Sequence, residues 1–262
     1  MVKNIASFIL LVVICVSCGK HEYPSALVEA DSLCYSNPKL ALEKLSHIRK
    51  GLDTTNTADW MYFRLVKLKA QDKAYIPHSD LTNLNQMIAY YEGKGDKKML
   101  PEIYYLAGST YFDLHDSPQA LDYYHKVLDN ITADDHLRLW GITHAQIGYV
   151  MLYQGNYMSA VQHFRESYFV DSIRNDVEGM IFDLRDLGYS YSSTEKLDSA
   201  IFYSHKALQL SLKIKNSKMA NNARSSLVGF YLDSRSCNVD SVAKYIYPML
   251  NDVEPEDRSA VY

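Results

Sequence analysis

Glycine and proline are scarce in this chain, 11 and 7 of 262 residues. Both residues punctuate strand-and-turn folds, so their scarcity argues against one. Basic charge is not in excess either. There are 27 Lys and Arg against 31 Asp and Glu, a formal net charge of −4. Counterion-release binding to nucleic acid therefore has no support. Signature motifs are missing as well: no GxSxG, HExxH or P-loop pattern occurs. What the chain has in quantity is tyrosine, 22 residues. Tyrosine suits helix–helix packing with hydroxyls at the solvent edge. The apolar share of 47% and charged share of 22% are ordinary for a globular protein of one or two domains.

Chemistry needs clustered titratable groups, and the nine histidines are scattered. His125 and His205 occupy equivalent positions two repeats apart, too far for a metal pair, and read as solvent-facing or partly satisfied side chains. His115-Asp116 and Asp134-Asp135-His136 read as helix-cap residues, and Asp31-Ser32 and Asp198-Ser199 as helix starts or polar faces. Gly93-Lys94-Gly95-Asp96 lacks the Walker spacing and reads as a helix-closing turn. Lys67, Lys69 and Lys73 share one helix and read as a solvated face, not a nucleic-acid patch. No enzyme activity, cofactor or metal site is expected.

The N-terminus stands apart. Met1 to Asn4 is a short basic region, and Ile5 to Val16 is an apolar run too short to span a bilayer. It fits a secretory signal peptide. Cys15-Val16-Ser17-Cys18-Gly19 places a small residue before a cysteine. This resembles the lipobox of bacterial lipoproteins, which implies a signal over 1–17, a lipid on Cys18 and a tether over 18–23. The departure is Cys15, where that family usually has an aliphatic residue. The alternative is an ordinary cleaved signal and a secreted protein. With Cys15 removed and Cys18 lipidated, only Cys34 and Cys237 remain, far apart in sequence. A disulfide framework is not expected. Cys34 lies in an apolar helical pattern and reads as a small core residue.

From Pro24 onward helical periodicity hardly stops. Ala26, Ala30 and Leu33 form one stripe. Asn37-Pro38 starts a second helix, with Pro in the first turn, and Ala41, Leu42, Leu45 and Ile48 line it. Trp60 to Tyr75 and Leu81 to Tyr91 follow. Then a fixed period appears. Gly108, Gly148 and Gly188 recur every forty residues, and Ala120, Ala160 and Ala200 follow each by twelve. A fourth unit carries Val228 in place of glycine and Ala243 after an insertion at Arg235–Asn238. Recurring small residues at a fixed period mark stacked helical hairpins. Helices approach to roughly 8–10 Å only where facing positions lack bulk.

Ala107-Gly108 and Leu187-Gly188, each with a large residue three later and Ala on the next helix, resemble the tetratricopeptide repeat (TPR) in a longer variant. The resemblance implies an all-α, right-handed superhelical solenoid of antiparallel helix pairs. Residues 24–96 would hold degenerate hairpins and 97–254 about four repeats. A narrower likeness is carried by Tyr23 to Leu27, Ala30 to Leu33, Asn37-Pro38, Ala41-Leu42 and Leu68 to Ile76. These resemble the start of TPR lipoproteins of Bacteroides-type bacteria. In that family the array often precedes a transmembrane helix, a coiled coil and sometimes a DNA-binding tail. No polar capping helix is read after Tyr247 and Leu250. Residues 255–262 are expected to open a truncated further helix, and the chain to be a fragment or a truncated relative.

In the TPR register the first helix of each unit lines the concave face. This puts Tyr105, Ser109, Phe112, Tyr149, Tyr153, Arg185, Tyr189 and Asn222 in one groove. Rigid aromatics around a charged anchor suit a protein or peptide ligand; the alternative is that these tyrosines only cover neighbouring helices. The carboxylate-clamp pattern of some TPR domains is largely absent. The expected protein is a non-catalytic interaction scaffold, anchored by Cys18 to a membrane of the cell envelope and facing periplasm or exterior. The alternatives are the sensory part of a membrane-bound regulator and, more weakly, a carbohydrate-binding or processing lipoprotein.

Overall fold

The computed structural model describes residues 21–77, 79–132, 136–233 and 239–251. The signal region, Cys18, Asp134-Asp135, the insertion at Arg235–Asn238 and the segment 255–262 lie outside the described residues. Among the described residues the regular structure is all helical: α1 (Ser25–Leu33), α2 (Pro38–Gly51), α3 (Thr57–Lys73), α4 (Leu81–Gly93), α5 (Leu100–Asp113), α6 (Ser117–Asn130), α7 (Leu137–Tyr153), α8 (Tyr157–Arg174), α9 (Val177–Ser192), α10 (Leu197–Lys213), α11 (Ser217–Asp233) and α12 (Val239–Asn251), with one 3₁₀ turn at Lys97–Met99. The stretch 24–96 holds α1–α4, and α5–α12 form four further hairpins.

Each helix packs on the next in the chain, so the fold is a solenoid. The odd-numbered helices also approach one another: α1 touches α3, α3 touches α5, α5 touches α7, and α9 touches α11. Among the described residues no pair of even-numbered helices does so to that extent. The odd helices therefore line the shorter, inner side of the stack.

Helix starts follow the sequence signals. Asn37 accepts the Leu40 N–H at 3.2 Å with Pro38 in the first turn. Asp116 accepts that of Gln119 and Asp176 that of Gly179. Each such cap satisfies a backbone donor that has no partner within its helix.

The repeated small residues are contact points. A methyl group on Gly148 would meet the Phe164 ring at 2.7 Å, and one on Gly108 would run into the Tyr124 ring. Tyr124 and Phe164 are themselves forty residues apart. One repeat on, Ser204 replaces the ring and lies opposite Gly188. Phe230 from α11 comes close to the same spot and packs with Phe164, Leu187 and Ala200. The volume lost with the ring is thus supplied from the next hairpin. Ala120, Ala160 and Ala200 are fully buried.

The turns keep the period where the residues do not. Tyr75, His115, Gly155 and Glu195 all have positive φ, 56°, 60°, 74° and 59°. Each is followed by the N–H to C=O bond that closes a Schellman motif, Ile76 to Gln71, Asp116 to Tyr111, Asn156 to Met151 and Lys196 to Tyr191. The forty-residue frame thus reaches back to α3, before the expected array start at residue 97. The α3–α4 connection is longer than the later ones, so the glycine-then-alanine spacing breaks there. The tether is fixed at its end: Tyr23 stacks on Tyr62 at 4.0 Å, and His21 meets Asp59 at 2.7 Å.

Candidate binding groove

The inner face divides into two parts of different character. Toward the C-terminal end, α7, α9 and α11 enclose a cleft of about 450 Å³, lined by Tyr149, Tyr153, Arg185, Asp186, Tyr189 and Asn222. The register that places Tyr149 and Tyr189 at one position and Arg185 a turn earlier brings these side chains together. Tyr153 is 77% exposed and Tyr189 45%. Asn222 is exposed as well. Phe112 packs against Tyr153, with ring centres 5.7 Å apart.

The floor of this cleft is rigid. The Tyr149 hydroxyl donates to Asp186 Oδ2 at 2.5 Å. Arg185 holds the same carboxylate through Nε at 2.8 Å and Nη2 at 3.1 Å, and its Nη2 also donates to the Tyr149 hydroxyl. Burial pushes the Asp186 carboxyl up, opposed by Arg185 and Tyr149. From the sequence, Arg185 is expected as the charged anchor of the groove. It is paired with Asp186, a carboxylate on the same helix.

Toward the N-terminal end the inner face is closed. Tyr105 is 4% exposed and lies under the Lys73 ammonium, 4.8 Å from the ring centre. Ser109 donates to Asp72 at 2.6 Å. Both are packing residues here and present little surface to a ligand. Farther along, Lys69 pairs with Asp31 and Glu102, each at 3.0 Å. Tyr35 donates to Glu102, and Tyr62 to Asp31. The Arg138 guanidinium lies 3.6 Å from the Tyr35 ring centre. Asp31, read from sequence as a helix-start or polar-face residue, is therefore part of an ion network. The expected single solvated lysine face is split: Lys69 is buried, Lys73 pairs with Asp72 at 2.8 Å, and Lys67 faces another side.

The histidines are not all scattered. His144 of α7 and His163 of α8 meet Nδ1 to Nδ1 at 2.9 Å, and His144 Nε2 is buried without a partner. Burial holds both rings down at about 4, so both are neutral. The periodicity carried a signal for this pair. Forty residues earlier the same positions hold Tyr104 and Tyr123, whose rings are also adjacent at 6.2 Å. His205 meets the Tyr245 hydroxyl at 3.2 Å. Among the described residues no three His, Cys, Asp or Glu side chains are grouped to hold a metal ion. Cys34 is fully buried, and burial pushes its thiol up to about 12, which leaves it unreactive. Among the described residues no helix is long and apolar enough to cross a membrane.

This architecture defines a class, the all-α helical-repeat solenoid. The sequence matches no protein-family model and no curated protein. Solved structures share the fold. A signal-transduction ATPase with numerous domains and a tetratricopeptide repeat sensor, from Pyrococcus horikoshii, aligns with 91% of this chain at TM-score 0.70 and 16% identity. This chain spans 37% of that protein's length. BtubC from P. vanneervenii aligns with 88% of this chain and 90% of its own, at TM-score 0.57 and 15% identity. The apo form of RapI covers 90% of this chain and 78% of its own, at TM-score 0.50 and 14% identity. At such identities the likeness establishes the fold.

Proposed function

We propose that this chain is a non-catalytic interaction scaffold that holds a protein or peptide segment in the cleft of α7, α9 and α11. In this reading it belongs with the TPR lipoproteins of Bacteroides-type bacteria. A lipid on Cys18 anchors it in the cell envelope. The observation that carries the reading is the exposure of Tyr153, Tyr189 and Asn222 above the fixed Tyr149–Asp186–Arg185 floor. Rigid aromatics with few rotamers to freeze are suited to a hot spot.

Tyr153→Ala, Tyr189→Ala and Asn222→Ala test it, because these side chains are exposed and their loss leaves the floor intact. Crosslinking in the native cell identifies what the wild-type chain captures. The triple variant is expected to lose that capture while keeping its helical circular dichroism; undiminished capture removes the assignment. Cys18→Ser is expected to shift the protein from the membrane to the soluble fraction, and no shift rejects the anchor.

A second reading, a sensory domain of a regulator, is favoured by one observation. The Pyrococcus neighbour is itself described as carrying a tetratricopeptide repeat sensor. A coding sequence that continues past Tyr262 into a signalling domain would support it, and a stop codon there would count against it.

A further inference from the structure

A second and larger cleft, of about 750 Å³, lies between α2, α3 and α4, away from the tyrosine groove. Its long wall is one stripe of α3 from Trp60 through Arg64 and Lys67 to Gln71. At about 1.5 Å of rise per residue this stripe is roughly 16 Å long. Trp60 stacks on Phe63 at 5.3 Å and 7°. Two guanidinium groups lie against the same indole, Arg49 of α2 at 4.7 Å and Arg64 at 5.1 Å. Lys67 lies one turn further on and is exposed.

The charge here runs against that of the whole chain, which carries a net −4. Among the described residues none of Arg49, Arg64 and Lys67 has a carboxylate partner. Arg64 donates to the neutral Gln86 at 2.8 Å. The one carboxylate on the cleft wall, Asp80, is already engaged: it accepts the Asn83 N–H at 3.0 Å as the cap of α4. Leu42 and Leu68, both half-buried, complete the wall with apolar surface.

We propose that this cleft binds an extended acidic peptide segment carrying one apolar side chain. The carboxylates would pair with Arg49, Arg64 and Lys67, and the apolar side chain would rest on the leucines. Length favours a peptide over a compact anion, because roughly 16 Å accommodates about five residues at some 3.3 Å each. Charge complementarity favours an acidic one. Single-stranded nucleic acid fits less well. It needs an open aromatic face for base stacking, whereas Trp60 is in contact with Phe63 and two guanidiniums. This site is independent of the tyrosine groove.

Trp60 is itself a reporter, since the chain has only two tryptophans. In the 262-residue chain carrying Trp140→Phe, the probe is a short glutamate-rich peptide with a central leucine. A saturable change in Trp60 emission is expected, at a Kd of about 10–100 μM. A lysine-rich peptide of equal length, oligothymidylate and inorganic phosphate are expected to give none. Arg49→Glu with Lys67→Glu, two exposed positions, is expected to weaken the acidic peptide at least about tenfold. Arg49→Lys with Lys67→Arg is expected to retain it, and circular dichroism checks that each variant folds. Tyr153→Ala with Tyr189→Ala is expected to leave this titration unchanged while abolishing capture by the groove. No saturable response at about 1 mM peptide overturns the proposal. So does an equal response to the lysine peptide, tighter binding of oligothymidylate or phosphate, or undiminished binding by the charge-reversed variant.

Discussion

The Tyr149 hydroxyl rests on the carboxylate of Asp186, one repeat further along the chain, at 2.5 Å. Arg185 closes on that carboxylate from its other side. The two charges are unequally buried: the Asp186 side chain is 5% exposed and that of Arg185 29%. Removing one partner of a buried pair costs about 3–5 kcal/mol when the remaining charge is stranded. Arg185→Ala strands Asp186 and is expected to approach that cost. Asp186→Asn leaves Arg185 free to turn toward water and is expected to cost less. Urea unfolding of both variants measures the order, and a reversed order would refute the account.

Glycine to alanine at two helical positions should have opposite effects. A methyl group at Gly108 runs into Tyr124, whereas Gly229 in α11 has nothing within 4 Å of that space. Alanine gains about 1 kcal/mol of helix propensity at either site. At Gly108 overpacking of about 1–3 kcal/mol outweighs this gain. Gly229→Ala is expected to raise the melting temperature and Gly108→Ala to lower it, as thermal denaturation followed by circular dichroism will report.

Asp183 is 4% exposed, and its Oδ2 has no partner. Burial pushes its carboxyl up to about 8 from the ordinary 3.8; Ser167 opposes this, and Asp171, Asp186 and Asp176 add to it. A raised folded-state value means the native state holds a proton that the unfolded chain releases. The associated stability is complete below about 3.8 and is lost as pH rises through about 8. Asp183→Asn is neutral throughout. It is expected to gain on the wild type as pH rises across this window, read as the difference in urea midpoint. A difference that does not change with pH would reject the assignment.

The His144–His163 pair acts with the opposite sign. Both rings are held at about 4 against the ordinary 6.5, so the unfolded chain binds protons first on acidification. Their contribution is present above about 6.5 and is lost as pH falls toward about 4. The third repeat holds Leu184 and Tyr203 at the equivalent positions. His144→Leu with His163→Tyr is therefore expected to fold and to lose less stability than the wild type between these pH values. An acid-unfolding profile unchanged from the wild type would count against the mechanism.

The solenoid was legible because its rule is steric and repeats. Gly108, Gly148 and Gly188 stand where rings or a close neighbour leave no room for a side chain, so residue identity records geometry. The turns were harder to read. The left-handed conformation recurs at Tyr75, His115, Gly155 and Glu195, but only one of the four is glycine. A backbone conformation imposed by the hydrogen bonds of the turn leaves little mark on the sequence. The groove was legible in part. Register alone brought Tyr149, Tyr153, Tyr189 and Asn222 together. It missed the Asp186 partnership, since adjacent residues on a helix do not ordinarily face each other and here the long Arg185 side chain folds back. It also missed the burial of Tyr105, because the covering Lys73 comes from a hairpin outside the recognised period. The α2–α4 cleft left no periodic trace: Arg49, Trp60, Arg64 and Lys67 come from two helices ahead of the glycine-then-alanine spacing.

Each hairpin leans chiefly on the one before and the one after it. The outermost turns can therefore open while the middle stays shut, and hydrogen exchange should be slowest near α7 and α8 and quicken toward both ends. A molecule that grips two hairpins at once makes opening either one costlier, so occupancy of a cleft is written into how easily the rod frays.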